Sequence, residues 1–274
     1  MINSICLIRM MKKVSIVVLL TVLITLVQAH EFWMQPLKFF LHPGERTDVR
    51  FVVGENFIGE PWSLKDHKVE KLDLHHRADV KSLLDSIKDA PKSNLSITFE
   101  TEGTHLFALE SDNAVSELDA EKFNEYLNED GLDDVLSHRK KTGTSNKPAR
   151  EFYRRYAKLL VQVGNTRDDT FKKELGFPIE IIPEENPYLL RKGDPVRFKI
   201  LSEGKPAFGV KVRVWNRYQN RTTIQNIYPE KNGVIETRIS NPGAWMVSVV
   251  KMVPSKEAGA EWQSYWTSLT FGVE

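Results

Sequence analysis

The chain has 274 residues, 41% hydrophobic and 27% charged, with a formal net charge of +1 and a single cysteine, Cys6. Near-neutral charge removes the electrostatic reason to expect nucleic acid or an anionic membrane as a partner. One cysteine excludes an intrachain disulfide and, if the segment holding it is removed, any thiolate metal site or cysteine nucleophile.

The first predicted element is an export signal. Lys12 and Lys13 form a basic region, Val14 to Leu26 is apolar, and Val27-Gln28-Ala29 supplies the small residues of a cleavage site. The apolar run of about 13 residues is shorter than the ~20 that span a bilayer, and no other stretch is long and apolar enough, so no membrane insertion of the mature chain is expected. The signal is intact whether translation starts at Met1, Met10 or Met11. Cleavage between Ala29 and His30 predicts a periplasmic or secreted chain of 245 residues beginning His30-Glu31-Phe32-Trp33, with 35 basic and 37 acidic side chains.

Beyond the signal the patterning predicts a mainly β chain of two sandwich-like domains, residues 30–170 and 171–274, with a short helical insertion at about 119–139. Val49, Phe51 and Val53 alternate with polar neighbours, as do Leu95, Ile97 and Phe99, and Thr104 to Leu109 reads as a further strand. Leu74 to Lys92 reads as loop or short helix. The period then changes: Phe123, Tyr126 and Leu127, followed by Leu132, Val135 and Leu136, have helical spacing, with Asp119 at the N-terminus and Gly131 as a break. Lys140 to Lys147 reads as a mobile loop, and Glu151 to Val163 as a long strand, a helix being nearly as consistent with its spacing. From Pro178 onward short alternating runs recur between turn signals. Val196-Phe198-Ile200, Phe208-Val210-Val212-Val214 and Tyr265-Thr267-Leu269-Phe271 each share a face. Roughly seven strands in about 97 residues match the size of an immunoglobulin-like sandwich.

The mature start His30-Glu31-Phe32-Trp33-Met34-Gln35-Pro36 resembles that of a bacterial family of uncharacterised domains often grouped with periplasmic components of nickel and cobalt uptake systems. The resemblance continues through Phe123-Asn124-Glu125-Tyr126-Leu127, Glu151-Phe152-Tyr153-Arg154-Arg155-Tyr156-Ala157-Lys158 and Gly176-Phe177-Pro178-Ile179-Glu180-Ile181-Ile182-Pro183, and ends at Trp262-Gln263-Ser264-Tyr265-Trp266-Thr267-Ser268-Leu269-Thr270-Phe271. It implies a secreted, β-rich, metal-handling protein with an immunoglobulin-like C-terminal half.

The candidate metal ligands are His30 and His105. A first-position histidine offers its α-amine and Nδ1 together, and protons compete for both near neutrality. His105, entering a strand, would add a second imidazole and complete a three-nitrogen site suited to copper or nickel. The competing reading of His105 is a half-buried strand histidine bonded to a carbonyl. One of His75 and His76 could join a site, though the pair reads first as solvated, and His42, His67 and His138 read as surface residues. Met34 reads as packing. The six tryptophans could form a sugar-stacking surface or plug cores, and Arg154-Arg155 and Lys158 with Glu151 could bind an anion or divide between strand faces. There is no zincin spacing, nucleophile elbow, P-loop or dinucleotide turn; the enzyme question stays open, with a binding protein favoured. The leading expectation, which rests on the resemblance and not on the site chemistry, is a periplasmic protein that captures or delivers a divalent transition metal (nickel, cobalt or copper) for a membrane uptake system. The alternatives are a secreted copper redox enzyme built on a histidine brace, and a metal-free β-sandwich module for ligand binding or adhesion.

Overall fold

The computed structural model describes residues 30–64, 67–88 and 94–274. The export signal, its cleavage site and the alternative starts lie outside these residues. Among them, no helix is long and apolar enough to cross a membrane.

The N-terminal half runs β1 (Glu31–Pro36), β2 (Phe40–Leu41), β3 (Glu45–Glu55), β4 (Ile58–Pro61), β5 (Val69–His76), β6 (Asp79–Ser82), α1 (Leu84–Lys88), β7 (Asn94–Phe99), β8 (Gly103–Ser111) and β9 (Ala114–Leu118). The insertion follows as α2 (Ala120–Glu129) and α3 (Asp133–Lys141), and β10 (Ala149–Val163) returns to the sheet. The C-terminal half contains β11 (Ile179–Pro183), β12 (Pro195–Ser202), β13 (Lys205–Pro206), β14 (Val212–Tyr218), β15 (Arg221–Ile227), β16 (Val234–Arg238), β17 (Gly243–Pro254) and β18 (Trp262–Val273).

These strands form three sheets. A ten-stranded sheet runs β15-β14-β17-β18-β10-β8-β5-β6, with β2 and β9 also on β10. One four-stranded sheet holds β1, β3, β4 and β7, and another holds β11, β12, β13 and β16. The C-terminal half is therefore an immunoglobulin-like sandwich, with β11-β12-β16 facing β15-β14-β17-β18. The N-terminal sheet covers the other face of the long sheet, so the molecule is two sandwiches offset on opposite sides of one shared layer. β10 and β18 join them and run parallel, Glu151 opposite Trp262 and Leu159 opposite Thr270.

Strand alternation explains this offset. Ala157, Leu159, Val161 and Val163 of β10 pack into the N-terminal core with Phe51, Phe99 and Phe107. Leu160, pointing the other way, joins Leu269, Phe271, Phe198 and Ile200 in the C-terminal core. A strand buried on both faces carries a nearly continuous apolar run, which is why its spacing also suits a helix. The boundary expected at 170/171 falls in a 3-10 turn, Asp169–Lys172.

The helical insertion forms as its spacing predicts. Asp119 caps α2 by accepting from the Lys122 amide at 3.0 Å. Gly131 ends the segment at φ +67, where an added Cβ would meet the Lys211 Cβ at 2.8 Å. Both helices pack on Trp262, Trp266, Val250 and Met252 of the long sheet.

Three expectations are corrected. Leu74 to Lys88 is not loop with a short helix alone: β5 and β6 form a hairpin, reversed at Arg77 with φ 52. Its buried Asp73 and His75 interrupt the apolar pattern that would mark a buried strand. The segment 140–147 is pinned rather than mobile, since Arg139 donates to the Lys147 carbonyl at 2.7 Å and Asn124 to that of Ser145 at 2.8 Å. Phe208 is 66% exposed and precedes β14, so it does not share the buried face of Val212 and Val214.

Candidate functional site

The two expected metal ligands are not brought together. His30 precedes β1 at the end where Glu31 pairs with Gly54 of β3. His105 lies with its ring 4.8 Å from that of Phe99, which pairs with Glu45 at the other end of β3. Nine extended residues separate those ends, roughly 30 Å at the rise of a β-strand.

Each histidine has its own surroundings. His30 is partly exposed, with Nε2 3.6 Å from Glu55 Oε1. His105 is buried, stacks on His76 at 4.4 Å, and donates from Nε2 to the Thr101 carbonyl at 2.9 Å. In that tautomer Nδ1 is an unprotonated acceptor, and it has no hydrogen-bond partner. Burial pushes the His105 pKa down to about 4. His75 is buried with neither ring nitrogen partnered, and burial lowers its pKa too. His76 lies 3.1 Å from the Glu102 carbonyl, His67 stacks on Trp62, and His138 meets Trp262 edge-on.

Among the described residues, no group of three or more histidine, cysteine or acidic side chains is arranged to hold a metal ion. This donor geometry overturns the reading of a nickel, cobalt or copper carrier for an uptake system. The copper brace falls with it, because its two imidazoles sit at opposite ends of β3.

What the structure does assemble is a cavity of about 230 Å³ where the sandwiches meet, lined by His30, Val115 to Leu118, Tyr126, Glu151, Tyr153, Arg155 and Trp266. Alternation along β10 places Glu151, Tyr153 and Arg155 on one face, toward β1 and α2. Arg154 and Lys158 point the opposite way. Arg154 pairs with Glu70, and Lys158 makes a buried ion pair with Glu180 at 2.5 Å. The basic cluster seen in the sequence is thereby divided, and only Arg155 reaches the cavity.

The walls combine apolar rings with two ionisable groups. Tyr126 stacks on Trp266 at 5.9 Å and donates from its hydroxyl to Glu151 Oε2 at 3.2 Å. Glu151 is buried, and this loss of solvent raises its pKa to about 7 against the opposing bonds from Ser264 and Tyr126. The Arg155 guanidinium lies 4.9 Å from the centre of the Tyr153 ring and about 6 Å from those of Phe32 and Trp62. No carboxylate among the described residues lies within ion-pair distance of Arg155; Glu151 and Glu31 act on it only at longer range, and its ring neighbour Tyr153 is its side-chain hydrogen-bond partner.

A second polar cavity of about 250 Å³ adjoins it, lined by Glu31, Glu55, Asp130 and Arg213 among others. Arg213 Nη1 donates to Glu31 Oε1 at 3.2 Å and Asp130 Oδ1 at 2.5 Å, while Ser248 donates to Glu31. One guanidinium between two buried carboxyls leaves an excess negative charge. Burial foremost, with Asp130 adding to it, raises the Glu31 pKa to about 7 despite Arg213.

A family model described as a domain of unknown function, DUF4198, matches residues 27–252. The chain belongs to this family. That membership covers the resemblance seen in the sequence but carries no tie to nickel or cobalt uptake. No curated protein matches the DUF4198 chain. Among solved structures, it is similar to the three N-terminal domains of the bacteriophage RB49 outer capsid protein Hoc, at 6% identity and TM-score 0.22, covering 89% of this chain and 71% of that one. Fibronectin(III)-like modules of Clostridium thermocellum CbhA match at 10% identity and TM-score 0.20, with 86% and 88% covered. Carbohydrate-binding modules from the β-sandwich superfamily match at 7% identity and TM-score 0.22, with 90% and 92% covered. Scores this low establish no common fold; the architecture stands on strand order and sheet packing.

The chemical residues of the cavity were partly legible. Glu151 and Arg155 belong to a charged cluster with Arg154 and Lys158 that the sequence shows, but alternation alone does not say which of them share a cavity. Tyr126 carried no such signal, because its spacing marks it only as helix core. The six tryptophans are all buried, so they form no open stacking surface.

Proposed function

We propose that this DUF4198 protein is an exported β-sandwich binding module that takes a small polar ligand in the cavity between β10, β9 and α2. Residues 1–29 would be its export signal and His30 its mature first residue. The observation that carries the reading is Arg155, a guanidinium facing a ring-lined cavity with no carboxylate partner among the described residues. A half-buried guanidinium with no carboxylate in ion-pair distance keeps hydrogen-bonding capacity free, and recognition sites use such groups to orient a ligand. The cavity is below the usual 300–1,000 Å³ of drug-sized sites, which suits a small ligand.

The test is protein-observed NMR of the native-start chain against a library of small polar molecules. The expected result is binding that shifts the Trp266 indole together with Tyr153 and Ser116. A library that leaves all three unmoved overturns the reading. So does stoichiometric nickel, cobalt or copper binding that moves His30, since a metal would then be the natural occupant.

A further inference from the structure

We propose that the ligand of this cavity is a small organic carboxylate, seated on the Arg155 guanidinium with Glu151 as a hydrogen-bond donor beside it. The proposal rests on the binding-module reading and names the ligand class for the same cavity.

Charge is the first reason. A planar guanidinium matches a carboxylate through two parallel N–H···O bonds, and such charge-assisted bonds are among the strongest available. A cation would meet the positive charge of Arg155. A neutral sugar would leave that charge unpaired. An inorganic phosphate would place up to two charges against one guanidinium and leave the ring-lined walls uncovered. The cavity's other acid at the rim, Glu117, is matched by Arg150 at 3.3 Å.

Shape is the second reason. Tyr153, Tyr126 and Trp266 supply apolar faces for a compact body, and about 230 Å³ admits one ring or a short chain. Aromatic walls also lower the local dielectric, which strengthens a charge pair once water is displaced.

Glu151 supplies the third. Tyr126 and Asp130 from the end of α2, Ser264 from β18 and Arg155 on its own strand act on it, and Glu117 from β9, His30 before β1, Tyr153 and Trp266 share its cavity. Tyr126 donates to one carboxyl oxygen, and Ser264 is a second hydrogen-bond partner of the group. Protonated, the Glu151 carboxyl donates to a bound carboxylate; ionised, it repels one. Burial already brings this group near neutrality, so binding should be accompanied by proton uptake around pH 7.

The experiment is titration calorimetry of the native-start protein at pH 6 and pH 8, with D-glucuronate, benzoate, D-glucose and inorganic phosphate as probes. Trp266 NMR shifts are recorded in parallel, with Arg155→Gln, Arg155→Lys and Glu151→Gln as variants checked by thermal melting. Glucuronate or benzoate is expected to bind at the cavity, at least tenfold tighter than glucose and phosphate. Affinity should rise about tenfold from pH 8 to pH 6, and this dependence should flatten in Glu151→Gln. Arg155→Gln should lose at least tenfold, with Arg155→Lys between it and the native protein. Glucose binding as well as glucuronate, phosphate outcompeting both carboxylates, or a folded Arg155→Gln that keeps full affinity would each overturn the carboxylate assignment while leaving a ligand cavity in place. If none of the four probes binds or moves Trp266, the carboxylate proposal fails, while the library screen decides separately whether the cavity binds any ligand.

Discussion

At the scale of single residues, the buried ionisable groups set opposite slopes of stability against pH. The Glu151 pKa is raised from 4.5 to about 7, so the native state holds a proton there that the unfolded chain has released. Its contribution is fully present below about pH 4.5 and is lost as pH rises toward 7, on the order of 3 kcal/mol. Glu151→Gln keeps an acceptor for Tyr126 and removes the titration. Urea unfolding should therefore show it gaining on the native protein by about that amount between pH 4.5 and 8; an unchanged difference would contradict the assignment. His105 works the other way. Its pKa falls from 6.5 to about 4, so its contribution is present above pH 6.5 and is lost as pH falls toward 4. His105→Phe keeps a ring against His76 and Phe99, and it should flatten stability between pH 6.5 and 4. A native slope retained in that variant would place the acid sensitivity elsewhere.

At the scale of elements, a buried ion pair ties β10 to β11. Lys158 is 1% exposed and its ammonium donates to Glu180 Oε1, the Lys173 carbonyl at 3.0 Å and the Ile181 carbonyl at 3.3 Å. Glu180 also accepts from the amides of Leu175 and Gly176 at 2.6 and 2.9 Å. Every donor is used, so the pair fixes the linker that leads from one sandwich to the other. Lys158→Met strands the Glu180 charge and should cost about 3–5 kcal/mol in denaturant unfolding. Adding Glu180→Gln, which removes the charge but keeps one acceptor oxygen for the Leu175 and Gly176 amides, should recover part of that loss. A double variant no more stable than the single one would show that the pair matters through packing and not charge. The α2 cap is a smaller matter: Asp119→Ala should cost about 1 kcal/mol, measured the same way.

At the scale of the whole molecule, the shared sheet makes the two sandwiches one mechanical unit. β10 serves both cores, Leu159 in one and Leu160 in the other, and it pairs with β18 over nine residues. Unfolding either half exposes the other's core, so calorimetry should show a single thermal transition. Two resolved transitions would mean that the parallel seam is weaker than either sandwich. The same seam explains where the cavity lies, because the offset layers leave the face of β10 and β18 beyond β1 to be covered by α2 and α3, with β9 flanking β10 in the sheet.

The sequence by itself determined the β-rich class, the C-terminal sandwich, the helical insertion and the break at Gly131, where φ is +67. These are local matters: period 2 against period 3.6, a capping carboxylate, a glycine where φ is positive. It also held Glu151, Tyr153 and Arg155 at the spacing of one strand face. Which face that was, and what lay opposite, depended on pairing between residues more than a hundred positions apart, as Glu151 with Trp262. The histidine pair failed for the same reason. Ligand chemistry is written in residue type, but whether two ligands meet is a matter of register and strand length, and those placed His30 and His105 at opposite ends of β3. Tertiary structure alone decided that Arg155 would lie beyond ion-pair distance of every carboxylate among the described residues and that Glu151 would be buried, because both outcomes come from what packs around a side chain and not from the side chain itself.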